Sequence, residues 1–107
     1  MRKANLVVLA LAVALSVPAL AAGDRVGGKA KSQVCAACHG TDGNSATGDF
    51  PKLAGQNEDY LEAALGQYKS GKRKNPIMAG MAAPLSKQDM ADLAAYFASQ
   101  QGLQLKY

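Results

Sequence analysis

The chain has 107 residues, with twelve basic and eight acidic side chains and a formal net charge of +4. That length suits one small domain, and the charge falls well short of the basic stripe that nucleic-acid binding calls for. Two cysteines and one histidine are too few for a four-ligand structural zinc site.

Arg2 and Lys3 form a basic tip, an apolar run follows from Leu6 to Val17, and Pro18 breaks it before Ala19-Leu20-Ala21 offers a small-residue cleavage site. Residues 1–21 therefore read as a cleaved secretory signal peptide. The run is shorter than the ~20 apolar residues that span a bilayer, so an uncleaved anchor is the weaker reading. No stable membrane insertion is expected after cleavage. The mature domain is then 22–107, and loss of Arg2 and Lys3 leaves ten basic against eight acidic side chains. A domain this small builds only a marginal core by itself.

Ala, Leu, Lys, Gln and Met dominate the periodic segments and strand-type alternation is missing, which makes the fold class all-α, with three main helices plus loops. The first helix is expected to open near Asp24 or Arg25 and run to about Ala37. Gly27 and Gly28 lie in its early turns, where glycine costs about 1 kcal/mol relative to alanine. Close contact with another helix would justify them, and so would frayed backbone.

Cys35-Ala36-Ala37-Cys38-His39 closes this segment. Cys-x-x-Cys-His is the attachment pattern of a c-type haem. The i, i+3 spacing sets both sulfurs on one side of a helical turn, where each can add to a porphyrin vinyl group while His39 reaches the iron. A thioredoxin-like dithiol would want a βαβ setting, and no strand pattern adjoins the motif. A Cys35–Cys38 disulfide would close a very short, strained loop. One covalent haem c on Cys35 and Cys38 is therefore expected, and its attachment outside the bacterial cytoplasm agrees with an exported, periplasmic protein.

Residues 40–56 are rich in Gly, Asn, Asp, Ser and Thr, as a loop requires. A metal-bound histidine usually donates its other ring N–H to a carbonyl, and this loop is the natural source of one, with Phe50 and Leu53 covering the ring. Asn57 can cap a second helix. Tyr60, Leu61, Ala64, Leu65 and Tyr68 fall on one face of it, and Gly71 is placed to end it. Tyr60 or Tyr68 could reach a haem propionate. From Lys72 to Leu85 two prolines and a glycine imply an irregular but apolar segment. A second axial ligand for the iron must be a thioether, since there is no second histidine. Met78 and Met81 lie in this segment and Met90 on the next helix, and composition does not choose between Met78 and Met81. Ser86, with Asp89 three residues on, begins the last helix, whose inward face is Met90, Leu93, Ala94 and Phe97, with Tyr96 at its margin.

Taken together, CAACHGTDGNS, FPKLAGQ, IMAGMAAPLS and MADLAAYFASQ resemble a class I c-type cytochrome, most closely one lobe of the cytochrome c4 group and its single-haem relatives. The resemblance implies the small cytochrome c fold wrapped around its haem, with His39 and Met78 as the metal ligands and Met78 preferred to Met81. It also implies that the Pro51 carbonyl receives the histidine N–H, and that Gly27 or Gly28 meets Tyr96 or Phe97 where first and last helices cross. Cytochromes c4 carry two haem lobes, whereas this chain has one motif. The implied role is that of an electron carrier, not an enzyme, working between partners such as a quinol-oxidising complex and a terminal oxidase. A haem subunit of a larger dehydrogenase and a gas-binding sensor with a dissociable methionine are the alternatives. Lys52, Lys69, Lys72, Arg73, Lys74 and Lys87 lie in or beside the segments expected to cover the haem. They could steer an acidic partner, or form an ordinary solvated face.

Overall fold

The computed structural model describes residues 2–14 and 22–103. Residues 2–14 form neither helix nor strand and are exposed throughout, Leu6 at 88%. The expected cleavage stretch Ala19-Leu20-Ala21 lies outside the described residues. Among those described, no helix is long and apolar enough to cross a membrane.

The fold is all-helical among the described residues, but it has five helices where the sequence suggested three. The expected first helix is two, α1 (Arg25–Lys31) and α2 (Gln33–His39). Ser32 separates them: its Oγ donates to Lys29 O at 2.8 Å, a back-bond that competes with the helical ladder. Asp24 caps α1 by accepting from the Val26 N–H. At the other end the segment runs past Ala37 to His39, where Gly40 at φ 84° turns the chain out.

α1 crosses α5 (Lys87–Ala98) with backbone nearly touching backbone. A Cβ on Gly28 would stand 2.0 Å from the Asp92 carbonyl oxygen and 2.8 Å from Tyr96 Cβ. Close approach, not fraying, is therefore what the glycine serves. Gly27 faces the Asp24 and Asp92 carboxylates instead. Gly23 makes an equally tight contact with the Ala91 carbonyl, which no pattern in the sequence announces.

α3 (Glu58–Ser70) starts at Asn57, whose side chain makes no cap bond, and ends on Gly71 in the left-handed region at φ 81°. Leu61 is its buried residue, while Ala64, Leu65 and Tyr68 are half-buried. Tyr60 departs from the expected stripe and stands 50% exposed, its hydroxyl accepting from Arg73 at 3.2 Å.

The segment expected to be irregular contains a helix, α4 (Pro76–Ala82). Pro76 sits in its first turn, where the missing N–H is no loss and φ is already helical. Asn75 Oδ1 accepts from the Ile77 and Met78 amides at 3.0 and 3.1 Å. α5 opens with a reciprocal capping box between Ser86 and Asp89, as its sequence suggests. It ends at Ala98. Its burial is wider than one face: every residue from Met90 to Phe97 is buried, because α1 and α3 both pack on it. The core is Leu61, Leu93, Ala94, Tyr96 and Phe97, with Cys35, Leu53, Leu65, Leu85 and Ala98 packed around it.

Candidate functional site

α2 carries Cys35 in its first turn and Cys38 and His39 in its last. Both thiols are free and half-buried. Cys35 packs on the core, and that burial, more than the neighbouring Cys38, pushes its thiol pKa up. His39 is only 7% exposed. Its Nδ1 lies 2.8 Å from the Pro51 carbonyl. A carbonyl only accepts, so Nδ1 carries the proton and Nε2 keeps its lone pair. Among the described residues Nε2 makes no hydrogen bond.

The 40–57 loop holds that carbonyl in place through several bonds. Ser45 Oγ donates to Phe50 O at 2.7 Å, one peptide before Pro51. The Leu53 amide donates to Gly43 O at 2.8 Å, and Gly43 itself is at φ 86° with no room for a Cβ between Ala54 N and Phe97 Cδ1. Tyr96 donates its hydroxyl to Thr41 O at 2.7 Å, and the Gly55 amide donates to Phe97 O at 3.0 Å. Both ends of the loop are thus anchored on α5. Phe50 stands edge-on to the imidazole, ring centroids 6.3 Å apart.

Met78, Met81 and Met90 separate by environment. Met90 is 8% exposed in the α5 core and Met81 is 46% exposed on α4. Met78, on α4, is half-buried.

Two residues suggested as docking cations are engaged within the domain. Arg73 lies 4.9 Å above the Tyr68 ring and donates to Tyr60. Lys69 donates to the Ala83 carbonyl at 3.1 Å and to that of Leu85. The side chains expected to meet a propionate, Tyr60 and Tyr68, are therefore the ones Arg73 contacts. Lys52, Lys72, Lys74 and Lys87 are exposed.

Sequence reasoning missed the roles of Ser45 and Lys69, and of Asp92. Asp92 is 5% exposed, accepting from Asp24 N at 2.8 Å, Gln88 Nε2 at 2.7 Å and Lys31 Nζ at 2.6 Å. Its backbone bond from Asp24 and the Lys31 ammonium hold its carboxyl below the ordinary range. Asp89, 2.9 Å from the same ammonium, is pushed down to about 2, first by the Ser86 amide and then by Lys31. A lone acid inside the buried run Met90–Phe97 was the available signal.

These donors fit a c-type haem. Two free thiols stand i, i+3 on one helix, beside a histidine whose Nδ1 is taken up by the Pro51 carbonyl, so that Nε2 is the nitrogen left to meet a metal. Leu53, Leu65, Leu85 and Met78 are half-buried, offering apolar surface for a flat ring to cover. Comparison with known proteins agrees. A Cytochrome c family model matches residues 26–101. Cytochrome c4 of Pseudomonas aeruginosa is 55% identical over 95 residues, 89% of this chain and 47% of that protein. The crystal structure of reduced recombinant cytochrome c4 from Pseudomonas stutzeri aligns with a TM-score of 0.73 at 50% identity, covering 77% of this chain and 48% of that one. Thiosulfate dehydrogenase (TsdBA) from Marichromatium purpuratum, in its as-isolated form, aligns at 0.70 and 32% identity over 79% of this chain and 21% of its own. The chain spans about half the length of the cytochromes c4 it matches. With a family model over residues 26–101 and a relative 55% identical across 89% of this chain, the protein belongs to the cytochrome c family, whose haem is held covalently through cysteines spaced as Cys35 and Cys38 are.

Proposed function

We propose that residues 1–21 direct export and are removed, and that 22–107 act in the periplasm as a single-haem carrier of one electron at a time. His39 and Met78 are the axial ligands in this reading. The observation that carries it is the 2.8 Å contact between His39 Nδ1 and Pro51 O, which leaves Nε2 as the only ring nitrogen for the metal. Bound haem supplies an iron that takes up an electron as ferric and releases it as ferrous. The chain does the rest. Cys35 and Cys38 fix the ring, and the Pro51 carbonyl orients His39. Met78 favours the reduced metal and raises its potential. Two protein ligands leave no position for a substrate, which makes the protein a carrier and not an enzyme. The exposed Lys52, Lys72, Lys74 and Lys87 favour acidic partners, held weakly and in a salt-dependent way. A quinol-oxidising complex as donor and a terminal oxidase as acceptor fit that description.

The ferric protein should show a weak long-wavelength band from sulfur–iron ligation. Met78→Ala should abolish it and Met81→Ala should keep it, and the reverse pattern would reject the assignment. In Met78→Ala the reduction potential should drop by a sizeable part of the roughly 0.8 V range that axial ligation spans. Ferrous wild-type protein should bind carbon monoxide slowly, whereas rapid binding would favour a gas sensor. The likeness to thiosulfate dehydrogenase supports a second reading, in which this domain docks as the electron-transfer subunit of a larger dehydrogenase. Purification of the exported protein at low salt separates the two, since a carrier elutes alone.

A further inference from the structure

α3 and α4 are joined by more than apolar packing. Lys69, in the last turn of α3, donates from Nζ to the carbonyls of both Ala83 and Leu85. Ala83 is the residue that ends α4. Final helix carbonyls lack partners within their helix and attract a cation. At the opposite end Asn75 Oδ1 takes up the Ile77 and Met78 amides. α4 is seven residues long, too short to persist by its own hydrogen bonds. Its position therefore depends on how its ends are held. The Lys69–Leu85 bond spans sixteen residues and closes the base of the whole segment that carries Met78.

We propose that Lys69 is a positioning residue for the Met78 thioether: by tying the end of α4 to α3 it keeps the sulfur directed at the haem iron and slows its departure. The inference rests on the reading of Met78 as axial ligand. It also withdraws Lys69 from the cations available to a partner, because its ammonium already serves two carbonyls.

The test uses the ferric holoprotein and free imidazole, which must wait for the methionine to leave before it can bind. Lys69→Leu should bind imidazole about tenfold faster than wild type, equivalent to about 1.4 kcal/mol. It should still show the sulfur–iron band at neutral pH. Lys69→Arg keeps a donor of similar reach and should return the rate most of the way. Lys72→Leu removes the same charge three residues on and should leave the rate alone. A wild-type rate in Lys69→Leu, even with a lower urea midpoint, overturns the proposal, as does equal acceleration by Lys72→Leu. Met78→Ala reads the underlying assignment separately: if that variant keeps the band, the ligand reading fails. If it loses the band while Lys69→Leu exchanges normally, only the tie fails.

Discussion

The α1–α5 crossing and the α3–α4 side of the domain are built on opposite principles. At the crossing, polypeptide packs on polypeptide with no spare space: Gly23 and Gly28 sit against carbonyls of α5, and Asp92 is enclosed by three donors. On the α3–α4 side, a Cβ on Gly66, Gly71 or Gly80 would meet nothing within 4 Å, and Leu65, Met78 and Leu85 stop at half-burial. The first region fixes its geometry through its own atoms. The second holds a short helix by its ends and leaves apolar surface half-covered. If His39 and Met78 are the axial pair proposed above, the domain keeps the histidine on its rigid side and the thioether on the side held by helix ends.

The sharpest way to break this contrast is Gly28→Ala. The added methyl would collide with backbone, not with the tip of a flexible side chain. Overpacking of this kind costs about 3 kcal/mol or more when helices must separate. Urea unfolding of the holoprotein should show that loss, with Gly27→Ala as control. There the nearest atoms are carboxylate oxygens of Asp24 and Asp92 at 3.2 and 3.3 Å, and the change should stay within about 1 kcal/mol. Equal losses at both positions would mean that the crossing is looser than described.

Tyr96 links the crossing to the 40–57 loop, packing on Gly28 with its Cβ and donating its hydroxyl to Thr41 O at the start of the loop that reaches Pro51. Tyr96→Phe keeps the packing and orphans a carbonyl, a loss of about 1–2 kcal/mol. The expected signature is a lower urea midpoint together with a shifted reduction potential, because the loop also sets the His39 hydrogen bond. A stability loss with no change in potential would confine Tyr96 to the crossing.

What could be read from the sequence divides along the same line. The haem motif was legible because its chemistry depends on spacing within a single turn. The glycines of α1 raised the right question, and the family resemblance supplied the answer at Gly28. Asp92 stood out as a lone acid in an apolar run, but its partners Asp24 and Lys31 were illegible because they lie 68 and 61 residues away and no local pattern announces them. α4 is an instructive miss. Pro76 and Gly80 argued for a loop, yet Asn75-Pro76 is also a cap followed by a first-turn proline, and that local signal prevailed. Lys69 looked like a free surface charge because its two acceptors are carbonyls, which any sequence supplies.

Acid should weaken the crossing before the α3–α4 side. Asp89 and Asp92 are both held below the ordinary carboxylate pKa, Asp89 to about 2. A depressed carboxylate contributes fully above the unfolded value near 4 and loses its contribution as pH falls through the folded value. Stability should therefore decline between about pH 4 and 2. Lys31 runs the other way: its pKa is raised, chiefly by Asp92, so its share persists below 10.5 and is lost at higher pH. Lys31 and Asp89 keep about a third of their side chains in solvent while Asp92 is enclosed, so screening by water discounts the share of the first two. Unfolding midpoints for Asp89→Asn should vary less with pH across that acid window than those of wild type. An unchanged slope would remove Asp89 from the account.

The smallest effect is also the most direct inversion of Gly28→Ala. Gly80 is exposed within α4, and a methyl group there meets nothing within 4 Å. Gly80→Ala should gain up to about 1 kcal/mol of helix propensity, so the substitution that damages one helix should strengthen another. Because α4 carries Met78, the gain should appear less in global unfolding than in slower imidazole entry at the ferric iron. If Gly80→Ala instead speeds imidazole entry, α4 needs its glycine for a conformation other than the helix described, and the view of α4 as a short helix governed by its ends would have to be given up.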